Sequence, residues 1–286
     1  MIVVTGASGK LGRAVVERLL TRVPAEQVGV SVRDASKVAG LAERGVRVRE
    51  ADFADADSMK HAFEGAGTVL VISTDRMGEP GVTASLAAVD AAVAAGVQRV
   101  VYTSHMGAGH DSKFQACVDH AQVEDHLAQT GVAWTALRNG FYGFSAMQFA
   151  EHGIAAGDVA VPQDGPVSWS THADLAEAAA AVLAGEVTYE GPTPPLTSSE
   201  TATFDDIAAI GAEITGHDVK RTVITDEAFV EQMTGYGTPQ IVAEQLLGIF
   251  QAARDGEFAA TDPTLEKILG RPTQTMRTLV EEKFAH

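Results

Sequence analysis

From residue 2 to residue 137 the chain alternates short β-branched runs with longer stretches whose apolar residues recur at helical spacing, and few folds accommodate that alternation. Ile2-Val3-Val4 opens the series and runs directly into a glycine-rich turn; residues 11–20 then place Val15, Val16, Leu19 and Leu20 on one helical face. Further strands are expected at residues 28–32, 46–48, 68–72, 99–103 and 133–137, with helices at 56–64, 82–95 and 115–129. The run at 68–72 is continuously apolar, as in a strand buried on both faces. One-helix crossovers between successive strands predict a parallel sheet covered on both sides, with ligands at the carboxyl ends of its strands. Past Phe144 the alternation gives way to short apolar pieces at 159–161 and 167–169, a helix at 173–183 and a Pro-rich connector at 191–195. Helices near 204–214, 226–233, 239–253 and 275–284 complete the chain. The expected fold is therefore α/β: a Rossmann-type doubly wound parallel sheet over residues 1–150, with a smaller, mostly helical lobe over residues 151–286 and the chain free to cross between them.

Thr5-Gly6-Ala7-Ser8-Gly9-Lys10-Leu11-Gly12 joins the first strand to the first helix. Gly6 permits the tight turn, Gly9 lets backbone amides approach a pyrophosphate, and Gly12 lets the helix pack closely on the sheet. The positive end of the helix then faces the phosphates. Glycines spaced three apart are a weak signal alone; their position after the first strand of an α/β series makes a dinucleotide site the reading. The choice of dinucleotide falls to the end of the second strand, Ser31-Val32-Arg33-Asp34-Ala35-Ser36-Lys37. An acidic side chain there binds the ribose 2′-hydroxyl of NAD. Arg33 stands in its place and suits the 2′-phosphate of NADPH, Lys37 adds a charge one turn later, and Asp34 is left to cap the next helix.

Composition narrows the partners. Lys and Arg total 21 against 38 Asp and Glu, a formal net charge of −17 with no basic run to offset it, so no nucleic-acid partner is expected. No apolar stretch approaches the ~20 residues of a bilayer-spanning helix. The opening residues lack the basic start and apolar run of a leader, so no membrane association is expected. A single cysteine, Cys117, precludes an intramolecular disulfide and fits a cytoplasmic protein. His105, His110 and His126 match no helical metal-ligand spacing, and no metal is expected. Cys117, Trp134 and Trp169 read as packing residues, and Ser8 and Ser104 lack a nucleophile elbow.

Six segments carry a family likeness: TGASGKLG at 5–12, VRD at 32–34, ADFAD at 51–55, YTS at 102–104, DHAQVEDHLAQTGVAWTALRNGFY at 119–142 and THADLAEAAAAVL at 171–183. In them the chain resembles the NmrA-like group of atypical short-chain dehydrogenases/reductases, and within it the bacterial type 2 NADPH:quinone oxidoreductases. The resemblance implies that Gly6, Ser8, Gly9, Lys10, Leu11 and Gly12 surround the pyrophosphate of NADPH and that Arg33 takes the 2′-phosphate. It further implies Asp52 and Phe53 at the adenine, Ser73 and Thr74 along the ribose, and Arg138, Asn139, Gly140, Phe141 and Tyr142 at the nicotinamide and substrate. The residues themselves agree at the last position: Asn139 follows a strand, carries an amide suited to a carboxamide, and leads into two flat rings.

The Tyr-x-x-x-Lys pair of the wider superfamily is missing. His120 stands where the lysine is expected, and Ala116 four residues earlier where the tyrosine is expected. Protonation of an alkoxide is thereby disfavoured, whereas hydride addition to a quinone leaves a phenolate that is already a good anion. Positioning and a nearby proton source suffice, and His120 and Tyr142 are the candidates. The expected activity is NADPH-dependent hydride transfer to a quinone or similar small electrophile without flavin, with a homodimer left open. The alternative is an NADP(H)-binding redox sensor that reports to a protein partner. A double-bond reductase resembling isoflavone reductases fits less well, since those keep the lysine.

Overall fold

A computed structural model describes residues 1–285; the end of the lobe drawn at 151–286 lies one residue outside them. Strands β1 (Ile2–Thr5), β2 (Val28–Val32), β3 (Arg47–Glu50), β4 (Thr68–Val71), β5 (Arg99–His105) and β6 (Ala133–Asn139) alternate with helices α1 (Lys10–Leu19), α2 (Ala39–Glu43), α3 (Ala56–Phe63), α4 (Glu79–Ala94) and α5 (Gln115–Gln129). The strands lie in the order β3-β2-β1-β4-β5-β6, each pairing parallel. This is the doubly wound order, and the direction of winding reverses between β1 and β4, where such sheets open a crevice for ligands. α1 buries Leu11, Val15, Val16 and Leu19 on one face of the sheet. Met59 and Phe63 of α3, Ala88 and Val89 of α4, and Val123 and Leu127 of α5 cover the other.

The remaining elements are β7 (Phe141–Tyr142), α6 (Gly143–Ala156), β8 (Asp158–Pro162), β9 (Trp169–Ser170), α7 (His172–Leu183), β10 (Gly191–Pro192), α8 (Phe204–Thr215), β11 (Lys220–Ile224), α9 (Asp226–Gly235), α10 (Gln240–Arg254), α11 (Thr264–Leu269) and α12 (Met276–Phe284). Their own core gathers Ile154, Phe204, Phe229, Phe250, Phe258 and Val280. Residues 172–192 return to the main sheet. α7 shares the core of α1, and β10 joins β6 as a seventh parallel strand with Gly191 opposite Thr135. The segment expected as a Pro-rich connector is thus an edge strand, where a proline's missing N–H costs no ladder bond.

α6 is absent from the sequence expectation, and Gly153 stands within it. In the fold it is a point of contact: a Cβ at Gly153 would stand 2.6 Å from the Asp158 carbonyl oxygen as the chain doubles back into β8. Among the described residues, no helix is long and apolar enough to cross a membrane.

Candidate functional site

Gly6 adopts φ +62°, a left-handed conformation, and its carbonyl accepts from the Gly9 N–H at 2.9 Å. α1 begins at Gly9 with no side-chain cap. The first-turn N–H groups of a helix lack intrahelical partners, so here they are left for an anion. A Cβ at Gly12 would overlap the Gly6 carbonyl and stand 3.0 Å from Ala7 Cα, so that glycine is required by packing. At Gly9 the nearest neighbour of a Cβ would be Gly6 O at 3.3 Å, with no other non-adjacent residue within 4 Å.

A groove of about 890 Å³ starts at Gly6, Ser8 and Gly9 and crosses the carboxyl ends of the strands. Arg33 after β2, Asp52 and Phe53 after β3, and Ser73 and Thr74 after β4 line it. Arg33 is exposed and has no ion-pair partner among the described residues. Asp34 does not neutralise it: its carboxylate accepts from the Ser36 N–H at 3.0 Å and hydroxyl at 2.6 Å, bonds that hold its pKa below the usual range. The groove therefore offers uncapped amides at one end and a free guanidinium near the second strand, the chemistry a 2′-phosphorylated dinucleotide requires.

A second cavity, of about 230 Å³, opens beside the groove, and Ser73, Thr74, Asp75 and Arg76 line both. Its wall joins Tyr102, His105, Phe114, Ala116, His120, Gly140, Phe141 and Tyr142 to Leu246 and Ile249 of α10, so the sheet and the C-terminal elements build it together. Gly140 is there because the backbone is crowded: a Cβ would stand 2.9 Å from Leu196 O. Phe141 is buried in an aromatic cluster, 5.5 Å from Phe114, 5.3 Å from Trp169 and 5.1 Å from Phe258 by ring centroids. Trp169 donates its indole N–H to Ala202 O at 2.9 Å and is core, as its sequence context suggests. The Tyr142 ring lies 4.6 Å from that of His172 by centroids, tilted by 33°, and burial raises its pKa.

His120 accepts or donates at Nδ1 toward Tyr102 Oη, 2.8 Å away. Loss of water lowers its pKa to about 4, and that of the neighbouring His105 to about 3. At neutral pH His120 is thus an uncharged imidazole carrying a single ring proton. Cys117 packs with Sγ 3.2 Å from His105 Nδ1, and burial pushes its thiol up to about 12, so it is inert. His110 pairs with Asp125 and His126 with Asp90, and no group of three metal-ligating side chains occurs among the described residues.

Several expected positions lie off both cavities. Leu11 is core and Gly12 a packing contact. Lys10 places Nζ 3.0 Å over the Phe144 ring. Lys37 is exposed and lines neither cavity; its carbonyl accepts from Arg13 at 3.1 Å. Arg138 is bound to the buried Glu124 through Nε at 3.1 Å and a terminal nitrogen at 2.6 Å, and Ser104 donates to the same carboxylate at 2.6 Å. Asn139 is 2% exposed, with Oδ1 buried and unpartnered and its side chain in reach of Tyr142. Sequence reasoning missed Asp75, Arg76, Leu246 and Ile249. A helix more than 100 residues from the sheet's last central strand leaves no local signal that it walls the site.

The sequence matches the model of the NmrA-like family over residues 1–282. It is 33% identical to quinone oxidoreductase 2 of Escherichia coli (strain K12) across 99% of each chain. The structure of an NADPH-dependent quinone oxidoreductase from Escherichia coli, complexed with NADPH, has the same fold at a TM-score of 0.93 and 32% identity, covering 99% of this chain and 100% of its own. Triphenylmethane reductase of Citrobacter sp., complexed with NADP(H), matches at a TM-score of 0.90 and 31% identity over 99% of both chains. With the family match running over residues 1–282 and a full-length relative at 33% identity, the chain belongs to the NmrA-like family.

Proposed function

We propose that the protein is an NADPH-dependent oxidoreductase that reduces a quinone or a similar planar electrophile without flavin. The observation that carries this reading is the shared wall at Ser73–Arg76: a dinucleotide with its adenine end at Arg33, Asp52 and Phe53 and its pyrophosphate at Gly9 has its nicotinamide end beside an aromatic-lined cavity. The names of the relatives, an NADPH-dependent quinone oxidoreductase and a triphenylmethane reductase, support it. When bound, the reduced nicotinamide supplies a hydride. The chain's part is to hold and orient: Gly6, Ser8, Gly9 and the first turn of α1 take the pyrophosphate, and Arg33 the 2′-phosphate. Asp52 and Phe53 flank the adenine, Ser73 and Thr74 line the groove toward the ribose of the nicotinamide, and Gly140 borders the nicotinamide, with Asn139 buried behind it. Phe141 and Tyr142 present flat surfaces to the acceptor, and His120 and Tyr142 offer hydrogen bonds to the phenolate it becomes. The partner is a small molecule; a net charge of −17 speaks against nucleic acid, and the single buried cysteine suits a reducing cytoplasm.

A panel of quinones, enones and aldehydes assayed with NADPH and NADH tests the reading. Turnover of quinones with NADPH is expected, whereas tight binding without turnover of any acceptor favours the redox-sensor alternative. Arg33→Ala is expected to weaken NADPH binding by roughly 1.5–3 kcal/mol, the range for a hydrogen bond to a charged group, and to leave NADH binding nearly unchanged. Equal losses by calorimetry would move the 2′-phosphate elsewhere. Tyr142→Phe keeps the ring and removes the hydroxyl; quinone turnover should fall with the melting temperature unmoved, and full activity would remove Tyr142 from the site.

A further inference from the structure

We propose that Tyr102 is a positioning residue: its phenol fixes the ring proton of His120 on Nε2, so that a neutral N–H donor faces the oxygen of the acceptor. The proposal rests on reading the second cavity as the acceptor site. Tyr102 lies in the middle of β5 and is 1% exposed, and His120 comes from the face of α5 that packs over it. The phenol oxygen is 2.8 Å from His120 Nδ1. A phenol is a stronger acid than an imidazole N–H, and an imidazole nitrogen is a far stronger base than a phenol oxygen, so the hydrogen bond runs from the Tyr102 hydroxyl to Nδ1. A neutral imidazole has one ring proton, and with Nδ1 accepting, that proton is on Nε2. Both groups stay uncharged, since burial raises the Tyr102 pKa and lowers that of His120.

The other side of the imidazole is open. His120 lines the cavity, and its Nε2 has no partner among the described residues and is not sealed in protein, unlike His105 Nε2. The His105 ring lies nearly parallel to that of His120, with 17° between planes and 6.2 Å between centroids, and its own Nδ1 accepts from the Gly107 N–H at 3.1 Å. The hydrogen bond to Tyr102 is thus the contact that sets the orientation of the His120 ring. During reduction the acceptor gains a hydride and then one proton from water. His120 keeps its proton throughout and stabilises the developing oxyanion by hydrogen bonding alone. The arrangement needs no Tyr-x-x-x-Lys pair, because nothing on the chain has to be deprotonated or recharged between turnovers.

Nitrogen-15 NMR of the His120 ring reads the tautomer directly, with the signals assigned by their loss in His120→Gln. In the ligand-free wild type the Nε2–H form is expected. In Tyr102→Phe a mixture of tautomers is expected, with quinone kcat down roughly tenfold while NADPH Kd and quinone KM stay within about twofold. An Nδ1–H tautomer in the wild type, or an unchanged tautomer in the variant, overturns the proposal. The wild-type measurement needs neither variant nor substrate, so a wild type with the Nε2–H form that turns over no quinone overturns the acceptor reading and not the tautomer assignment.

Discussion

Gly12→Ala should destabilise the protein by about 1–3 kcal/mol, the cost of forcing a methyl into a packed contact, whereas Gly9→Val should leave stability nearly unchanged and remove cofactor binding. The two glycines are three residues apart in one turn, yet a Cβ meets different things at each. At Gly12 it runs into the Gly6 carbonyl and stands 3.0 Å from Ala7 Cα, both backbone atoms that cannot rotate away. At Gly9 it meets only Gly6 O at 3.3 Å, and Gly9 lines the groove. Thermal melts with and without NADPH separate the effects. The expected pattern is a lowered Tm for Gly12→Ala in both conditions, and for Gly9→Val a normal Tm that NADPH no longer raises. A Gly9→Val protein still stabilised by NADPH would reduce the turn to a structural element.

The second large effect concerns pH. His120 and His105 have pKa values of about 4 and about 3 in the fold, lowered in both by burial, against ~6.5 in an unfolded chain. Between these values the unfolded state binds more protons, so stability falls as pH falls. Above pH ~6.5 neither group contributes, since both states leave it neutral. Below it the loss grows with each unit to several kcal/mol near pH 4. Urea unfolding at steps from pH 7.5 to pH 5 measures this, and His105→Phe should flatten the curve by about one proton. A stability that is level across that window would mean that both imidazoles have ordinary pKa values.

The sheet was legible because its strands are buried on both faces and its crossovers are single helices; the continuous apolar run around Leu70 and the helical stripe Leu11, Val15, Val16, Leu19 leave little choice of layer. The glycine turn was legible for the same reason, being placed by the strand before it. The C-terminal elements were less so. β11 is an exposed strand whose partner β8 lies about sixty residues earlier (Lys220 opposite Asp158), and β10 is two residues long. Neither has a local period to detect. In the site, Gly6, Gly9 and Arg33, read from the residues themselves, and Asp52 and Ser73, implied by the family resemblance, all line the groove. The ion pair of Arg138 with Glu124, fourteen residues away, has no local signal in the sequence. The pairing of Tyr102 with His120 spans two elements and eighteen residues, and only the packing of α5 on β5 brings it about.

The central claim is direct hydride transfer from NADPH to a quinone within one chain. A single-turnover experiment with flavin-free protein, stoichiometric NADPH carrying deuterium at the transferred position, and excess quinone tests it most directly. The expected result is complete loss of the reduced-nicotinamide absorbance, one quinone reduced for each NADPH consumed, and a slower step with deuterium than with hydrogen. NADPH that binds, raises Tm and stays reduced in the presence of every quinone tried would contradict it.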